Sequence, residues 1–183
     1  MTPPTRAPAG SESAPTSWAV PGKLEAEIEA LVARYPQRRS ASLMVLHALQ
    51  ENFGFLSREA IEWTARKLSI QPINVYELVT FYPMFRQAPA GKIQFKICRT
   101  LSCALGGAGS LHAHLCRKLG LNADGHSVQV TPDGRFSVEF VECLASCGTA
   151  PVMTCNDEFH EGVTLERADA LLRSQISNLK FEN

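Results

Sequence analysis

The chain has 183 residues, 45% of them hydrophobic and 20% charged, which suits one sizeable domain or a small domain with a helical extension. Its 18 basic residues balance its 18 acidic residues. A net charge of zero argues against nucleic acid as a partner, because phosphate binding needs a basic surplus or a dense basic patch.

The first segment, residues 1–21, is rich in Pro, Ser and Thr and has almost no apolar periodicity. Such a composition predicts a disordered leader, because it cannot bury enough apolar surface to fold. The segment lacks the charged start and apolar stretch of a secretory signal, so we expect a cytoplasmic protein. No apolar run of about 20 residues follows, so we expect no direct membrane insertion.

Residues 22–90 are predicted to form a helical bundle. Apolar residues recur there at three- and four-residue spacing, which is typical of amphipathic helices. Ser57 is a suitable N-cap, and Pro72 suits the first position of a helix. The four predicted helices run from Gly22 to Tyr35, Ser40 to Gln50, Ser57 to Leu68 and Pro72 to Tyr82.

Residues 91–183 follow a different pattern, which predicts a small mixed sheet with flanking helices. Lys92 to Cys98 alternates polar and apolar residues, as a half-buried strand does. A turn at residues 106–109 should lead into a helix that ends at Gly120, and a last helix should begin after Thr164. The order β-α-β and then β-β-α fits a thioredoxin-like domain and an α+β fold. The remaining predicted strands are Val128 to Thr131, Arg135 to Cys143, Pro151 to Thr154 and a segment around Phe159.

The chain contains six cysteines without an export signal, which favours metal ligation or redox chemistry over structural disulfides. Four of them form pairs: four residues separate Cys98 from Cys103, and three separate Cys143 from Cys147. Each pair lies where a predicted strand ends, so the two pairs can converge. Four thiolates at one point need a cation, which zinc or an iron–sulfur cluster can supply.

The spacing within the pairs favours a [2Fe–2S] cluster over zinc. Structural zinc sites prefer closer cysteines, whereas wider gaps suit a two-iron cluster in which each pair binds its own iron. Small residues beside both pairs would let backbone N–H groups approach the sulfurs. A zinc-stabilised interaction domain remains the alternative of another class. We expect Cys116 and Cys155 to be small core residues.

Other interpretations of the sequence are weaker. The glycines at positions 106–109 do not match the dinucleotide fingerprint G-x-G-x-x-G, so we expect no NADH site on this chain. His112 and His114 would suit a Rieske-type site, but four cysteines make it unnecessary and the predicted helix carries both histidines away. A dithiol oxidoreductase normally uses C-x-x-C, which is absent from the sequence.

The segments around the cysteines resemble a known family. They read C-R-T-L-S-C-A-L from Cys98 and V-E-C-L-A-S-C-G-T-A-P-V-M from Val141, with V-Y-E-L-V-T-F-Y-P-M-F upstream at Val75 to Phe85 and F-G-F-L at Phe53 to Leu56. They are similar to the thioredoxin-like [2Fe–2S] ferredoxin subunits of NADH:quinone oxidoreductase, the respiratory complex I. The resemblance covers roughly residues 23 to 180 and includes all four paired cysteines.

The resemblance implies a thioredoxin-like domain behind a helical bundle, with one [2Fe–2S] cluster on Cys98, Cys103, Cys143 and Cys147. It implies a flavoprotein partner that holds FMN and binds NADH, together with further iron–sulfur subunits. The chain would then not be catalytic alone, and its partners would hold it at the cytoplasmic side of the inner membrane. Relatives also serve NAD-dependent hydrogenases and formate dehydrogenases, so the complex that it serves stays open.

Overall fold

A computed structural model of the chain describes residues 18–124 and 127–181, and its first half is a bundle of four helices. Ser57 caps the third helix as expected, since its hydroxyl oxygen accepts a hydrogen bond from the N–H of Ala60 at 3.3 Å. The helices pack around one buried apolar core that includes Ile28, Val45 and Ile61. They are α1 (Gly22–Val32), α2 (Ser42–Phe53), α3 (Arg58–Leu68) and α4 (Pro72–Phe81).

The N-terminal end of the described residues packs on this bundle. The ring of Trp18 lies 5.3 Å from that of Phe53, and Val20 is partly buried against the same core. The rest of the segment that we predict to be a disordered leader, residues 1–17, lies outside the described residues.

The second half of the chain forms a five-stranded mixed sheet with the strand order β2-β3-β1-β4-β5. The central strand β1 pairs parallel with β3 and antiparallel with β4, and both edge strands pair antiparallel. This sheet with its helices confirms the predicted α+β, thioredoxin-like fold. The strands are β1 (Ile93–Cys98), β2 (Gln129–Val130), β3 (Phe136–Val141), β4 (Met153–Cys155) and β5 (Glu158–His160), and the helices are α5 (Leu101–Leu105), α6 (Ala108–Leu119) and α7 (Leu165–Phe181).

A second apolar core lies between the sheet and its helices. Phe95 and Val138 come from the strands, Leu115 from α6 and Ala168 from α7, and all four are fully buried. The backbone approaches β1 through Gly91, where a Cβ atom would lie 2.2 Å from the backbone carbon of Phe136. A side chain at position 91 would therefore separate β1 from β3.

Along residues 18–124 and 127–181, no helix has both the length and the apolarity needed to cross a bilayer.

Several element ends differ from the predicted ones. The strand predicted for Arg135 to Cys143 ends at Val141, because the parallel pairing of β1 with β3 ends there and the backbone then bends. The helix predicted for Gly22 to Tyr35 ends at Val32. Tyr35 lies outside it, in agreement with the rule that the residue before a proline, here Pro36, disfavours helical backbone. The short helix α5 was not predicted, because five residues are too few for an apolar period.

Arg86 joins the bundle to the sheet. Its guanidinium group forms an ion pair with Glu139 of β3 and donates to the side-chain oxygen of Gln94 in β1 at 3.1 Å. Gln50 of α2 accepts a hydrogen bond from the Arg86 N–H at 2.7 Å, and the Arg86 carbonyl accepts one from Leu56 at 2.7 Å. The side chains of Arg86 and Glu139 are 13% and 12% exposed, so solvent screens this ion pair only weakly.

We predict that Arg86→Met lowers stability by about 2 kcal/mol, because it leaves the Glu139 carboxylate nearly buried without its partner. For a chain of this size, the midpoint of thermal unfolding should fall by about 4–8 °C. The control is Arg58→Met, which breaks an ion pair with Glu62 whose side chains are 78% and 37% exposed. That change should cost less than about 0.5 kcal/mol. Equal midpoints for the two variants would contradict the prediction.

Candidate metal centre

The four paired cysteines line one small cavity at the end of the sheet. Cys98 is the last residue of β1, and Cys103 lies in α5. Cys143 and Cys147 belong to the loop that follows β3. The remaining residues of the cavity wall are Thr100, Ser102, Ala145, Ser146 and Val152. The structure thus brings together all four residues that the sequence singles out as ligands.

The first pair is fixed by regular backbone. The amide N–H of Cys98 donates to the carbonyl of Val152 at 3.1 Å, which ties the end of β1 to the segment before β4. Helix α5 begins directly after Thr100 and turns Cys103 back toward the end of the strand. Both cysteines are 2% exposed, so this half of the cavity wall belongs to the sheet core.

The second pair lies on an exposed loop with unusual backbone. Ala145 has a φ of 62°, in the left-handed region that residues with a side chain rarely adopt. In this conformation the Ala145 N–H donates to the sulfur of Cys143 at 3.3 Å. Cys147 then begins a short 3₁₀ turn that ends at Thr149. Both Cys143 and Cys147 are exposed, in contrast to the first pair.

Hydrogen bonds and charge act differently on the two buried thiols. Burial raises the pKa of Cys98, but hydrogen bonds from the backbone N–H groups of Leu144 and Thr100 outweigh it, so the net pKa lies below the usual value. Burial raises the pKa of Cys103, and the nearby Cys98 and Cys147 sulfurs raise it further. The pKa of Cys103 therefore depends on a sulfur from each pair, which agrees with the convergence of the two pairs on one cavity.

The loop of the second pair is tied to the segment after β5 through Glu161. One oxygen of its carboxylate accepts hydrogen bonds from the hydroxyls of Ser146 and Thr149, the latter at 2.7 Å. These bonds hold the pKa of Glu161 below its usual range. No pattern in the sequence indicates this contact, because residues twelve and fifteen positions apart meet across two loops.

The other two cysteines lie in the core, as predicted. Cys116 of α6 is fully buried, with its sulfur 3.8 Å from the His112 ring, and burial raises its pKa. Cys155 ends β4 and is 3% exposed, and burial together with Glu158 raises its pKa to about 11. Neither thiol lines the cavity of the four paired cysteines, so neither is placed to bind a metal there.

The two histidines weighed for a Rieske-type site have other contacts. The ring of His112 stacks on Phe140 of β3 with 4.0 Å between centroids, and burial lowers its pKa. His114 lies 2.8 Å from the carboxylate of Asp169, so it links α6 to α7. Helix α6 therefore directs the His112 ring into a packing contact and the His114 ring into a polar contact with α7. His126 lies outside the described residues.

The donor set of the cavity fits a [2Fe–2S] cluster. Four thiols in two pairs would supply two ligands for each of two irons, and the backbone N–H of Ala145 already donates to the sulfur of Cys143. In the part of the protein that the structure describes, no group of three or more His, Cys, Asp or Glu side chains is arranged to hold a metal ion.

Comparison with known proteins identifies relatives across most of the chain. The family model for the thioredoxin-like [2Fe-2S] ferredoxin matches residues 28–175. The chain is 41% identical to one of the NADH-quinone oxidoreductase subunits of Rhizobium meliloti, over 81% of this chain and 86% of the relative. It is 42% identical to NADH-quinone oxidoreductase subunit 2 of Thermus thermophilus, over 85% of both proteins.

Solved structures give the same fold. A crystal structure of an NAD⁺-reducing [NiFe]-hydrogenase in its H₂-reduced state superposes with a TM-score of 0.59 at 24% identity. The match covers 73% of this chain but only 22% of the hydrogenase chain. The air-oxidised state of such a hydrogenase gives a TM-score of 0.61 at 22% identity, over 76% of this chain and 24% of the other. At these identities the likeness shows the fold alone.

Proposed function

The chain belongs to the thioredoxin-like [2Fe–2S] ferredoxin family, and on that premise we propose that it binds one [2Fe–2S] cluster through Cys98, Cys103, Cys143 and Cys147. It would serve as an electron-transfer subunit of an NADH:quinone oxidoreductase. The observation that carries the proposal is that these four thiols, from distant parts of the sequence, line one cavity. When bound, a [2Fe–2S] cluster takes up and releases one electron at a time.

The residues of the chain would hold the cluster and adjust its environment. Cys98 and Cys103 would bind one iron, and Cys143 and Cys147 the other, because each short segment can bend its two thiolates around one metal. The N–H of Ala145, which donates to the sulfur of Cys143, would stabilise negative charge on that sulfur and so would raise the reduction potential. The exposed second pair would be the side of the cluster nearest to solvent.

A partner subunit would dock beside the cavity. Leu101 and Leu105 lie one helical turn apart on α5, on either side of Cys103 in the sequence, and are 72% and 82% exposed. Exposed apolar side chains of this kind often mark an interface. The partner proposed here holds FMN and binds NADH, and further iron–sulfur subunits would continue the series of carriers. Its FMN would carry out the two-electron chemistry, so this subunit would need no NADH site of its own.

The relatives favour a respiratory complex over the alternatives. Relatives named as subunits of NADH-quinone oxidoreductase are 33–42% identical over 79–91% of this chain, whereas the hydrogenase likeness extends only to the fold. We therefore prefer NADH:quinone oxidoreductase to a hydrogenase or formate dehydrogenase. Its partner subunits would hold the protein at the cytoplasmic side of the inner membrane.

We predict that replacing any one of Cys98, Cys103, Cys143 and Cys147 with Ala removes or cripples the cluster, because one iron then has an open position. Serine at the same positions should be milder, since an alkoxide oxygen can sometimes bind iron. Iron and acid-labile sulfide analysis, together with visible absorption, measures the loss. The matched controls are Cys116→Ala and Cys155→Ala, which should keep the full spectrum because they remove only a small core sulfur.

A full cluster in Cys147→Ala, or an empty site in Cys155→Ala, would mean that the ligand set is wrong. A packing defect in the two controls should stay at about 1 kcal/mol or less and should appear as a lower unfolding midpoint with unchanged iron content.

We further predict that NADH does not bleach the cluster of the isolated chain, because the sequence has no dinucleotide fingerprint. Adding the FMN-containing partner should make NADH bleach it under anaerobic conditions, as followed by visible absorption. Dithionite should bleach the isolated protein and serves as the control for a reducible cluster. Bleaching by NADH without the partner would contradict the assignment of NADH binding to another subunit.

A further inference from the structure

We infer that Glu161 is a positioning residue for the cluster, because it fixes the loop that carries Cys143 and Cys147. This inference rests on the proposed function, since it concerns how the protein holds that cluster. Glu161 does not line the cysteine cavity, and its carboxylate would not bind iron. It acts on Ser146 and Thr149, which lie on either side of Cys147 in the sequence.

A single carboxylate oxygen serves as the common acceptor for the loop. Oε1 of Glu161 accepts from the hydroxyls of Ser146 and Thr149, and these two hydroxyl oxygens lie 2.8 Å apart. The Thr149 carbonyl accepts a further bond from the N–H of Gly162 at 2.7 Å. The turn that contains Cys147 is therefore connected at both ends to residues 161 and 162.

Glu161 is itself held by the sheet and by α7. It directly follows β5, whose strand pairing with β4 fixes the backbone. The Glu161 carbonyl accepts from the guanidinium of Arg167 in α7 at 2.6 Å. The Glu161 carboxylate thus connects the exposed cysteine loop to the sheet and to α7.

The loop needs such an external support more than the first cysteine pair does. Cys98 and Cys103 belong to the buried core, whereas Cys143 and Cys147 are exposed and the backbone between them is strained at Ala145. Without the bonds to Glu161, the hydroxyls of Ser146 and Thr149 would keep only contacts within their own turn, with each other and with the Ser146 carbonyl. Cys147 would then sample positions that cannot close on the metal.

The test compares three variants of the protein with its [2Fe–2S] cluster bound. They are Glu161→Ala, Glu161→Gln and the control Glu158→Ala. Glu158 is an exposed carboxylate at the start of β5, and the ion pair given for it joins it to His160 of the same strand and not to the cysteine loop. Each protein is mixed with excess iron chelator, and the loss of visible absorption gives the rate of cluster release. The electron paramagnetic resonance (EPR) spectrum of the dithionite-reduced protein reports the geometry at the irons.

Glu161→Ala should release the cluster about fivefold faster than the parent and broaden its EPR signal, since the loss of two hydrogen bonds on an exposed loop corresponds to a factor of this size. Glu161→Gln should release it at the parent rate, because its amide oxygen accepts from both hydroxyls. Glu158→Ala should match the parent in both measurements. Rescue by Gln would separate positioning from the effect of charge.

A parent-like rate and spectrum in Glu161→Ala would overturn the inference, and so would Gln behaving like Ala. If Glu161→Ala does not fold, the pair Ser146→Ala and Thr149→Val removes the same bonds from the other side and should speed release equally. Parent-like release in that double variant would also overturn it. A parent protein without iron would instead refute the proposed function, so the two failures are distinguishable.

Discussion

The parallel pairing of β1 with β3 determines where the two cysteine pairs meet. In this register Cys98 lies opposite Val141, so both strands end at the same edge of the sheet. Cys143 follows two residues later, where the backbone has just left the strand. Strand β4 pairs antiparallel with β1, so it begins at this same edge of the sheet. Val152, directly before β4, accepts a hydrogen bond from the Cys98 N–H through its carbonyl. Three neighbouring strand ends thus surround the cavity.

The two cysteine pairs are held in place by different kinds of interaction. Cys98 and Cys103 share the apolar core with Phe95 and Leu115, so their positions are set by close packing. Cys143 and Cys147 depend on hydrogen bonds of an exposed loop. Hydrogen bonds of this kind exchange with water more readily than a packed core rearranges, so the second pair is the side on which loss of the cluster should begin.

The overall fold could be predicted from the sequence because its signals are local and periodic. The apolar spacing in α1 to α4 and the alternation in β1 each lie within a dozen residues, and both predict the correct element. The cysteine pairs were also recognisable, since their spacing and their places at strand ends can be read directly. Their role as cluster ligands stays a prediction, and so do the domain boundaries at residues 21 and 90.

Contacts between distant segments could not be predicted in this way. Arg86 meets Glu139 across 53 residues, and Glu161 meets Ser146 across two loops, with no period to indicate either contact. The end of β3 at Val141 depends on where its pairing with β1 stops, which is a property of the sheet. Helix α5 is too short for its apolar pattern to be recognised, although it carries Cys103.

The most direct test of the central claim is metal analysis and EPR spin quantification on the same sample of the purified full-length protein. A [2Fe–2S] cluster on two cysteine pairs predicts two irons and two sulfides per protein molecule, and one unpaired electron per molecule after one-electron reduction. One zinc per molecule, with no iron and no EPR signal after reduction, would contradict it and would support a zinc-stabilised interaction domain.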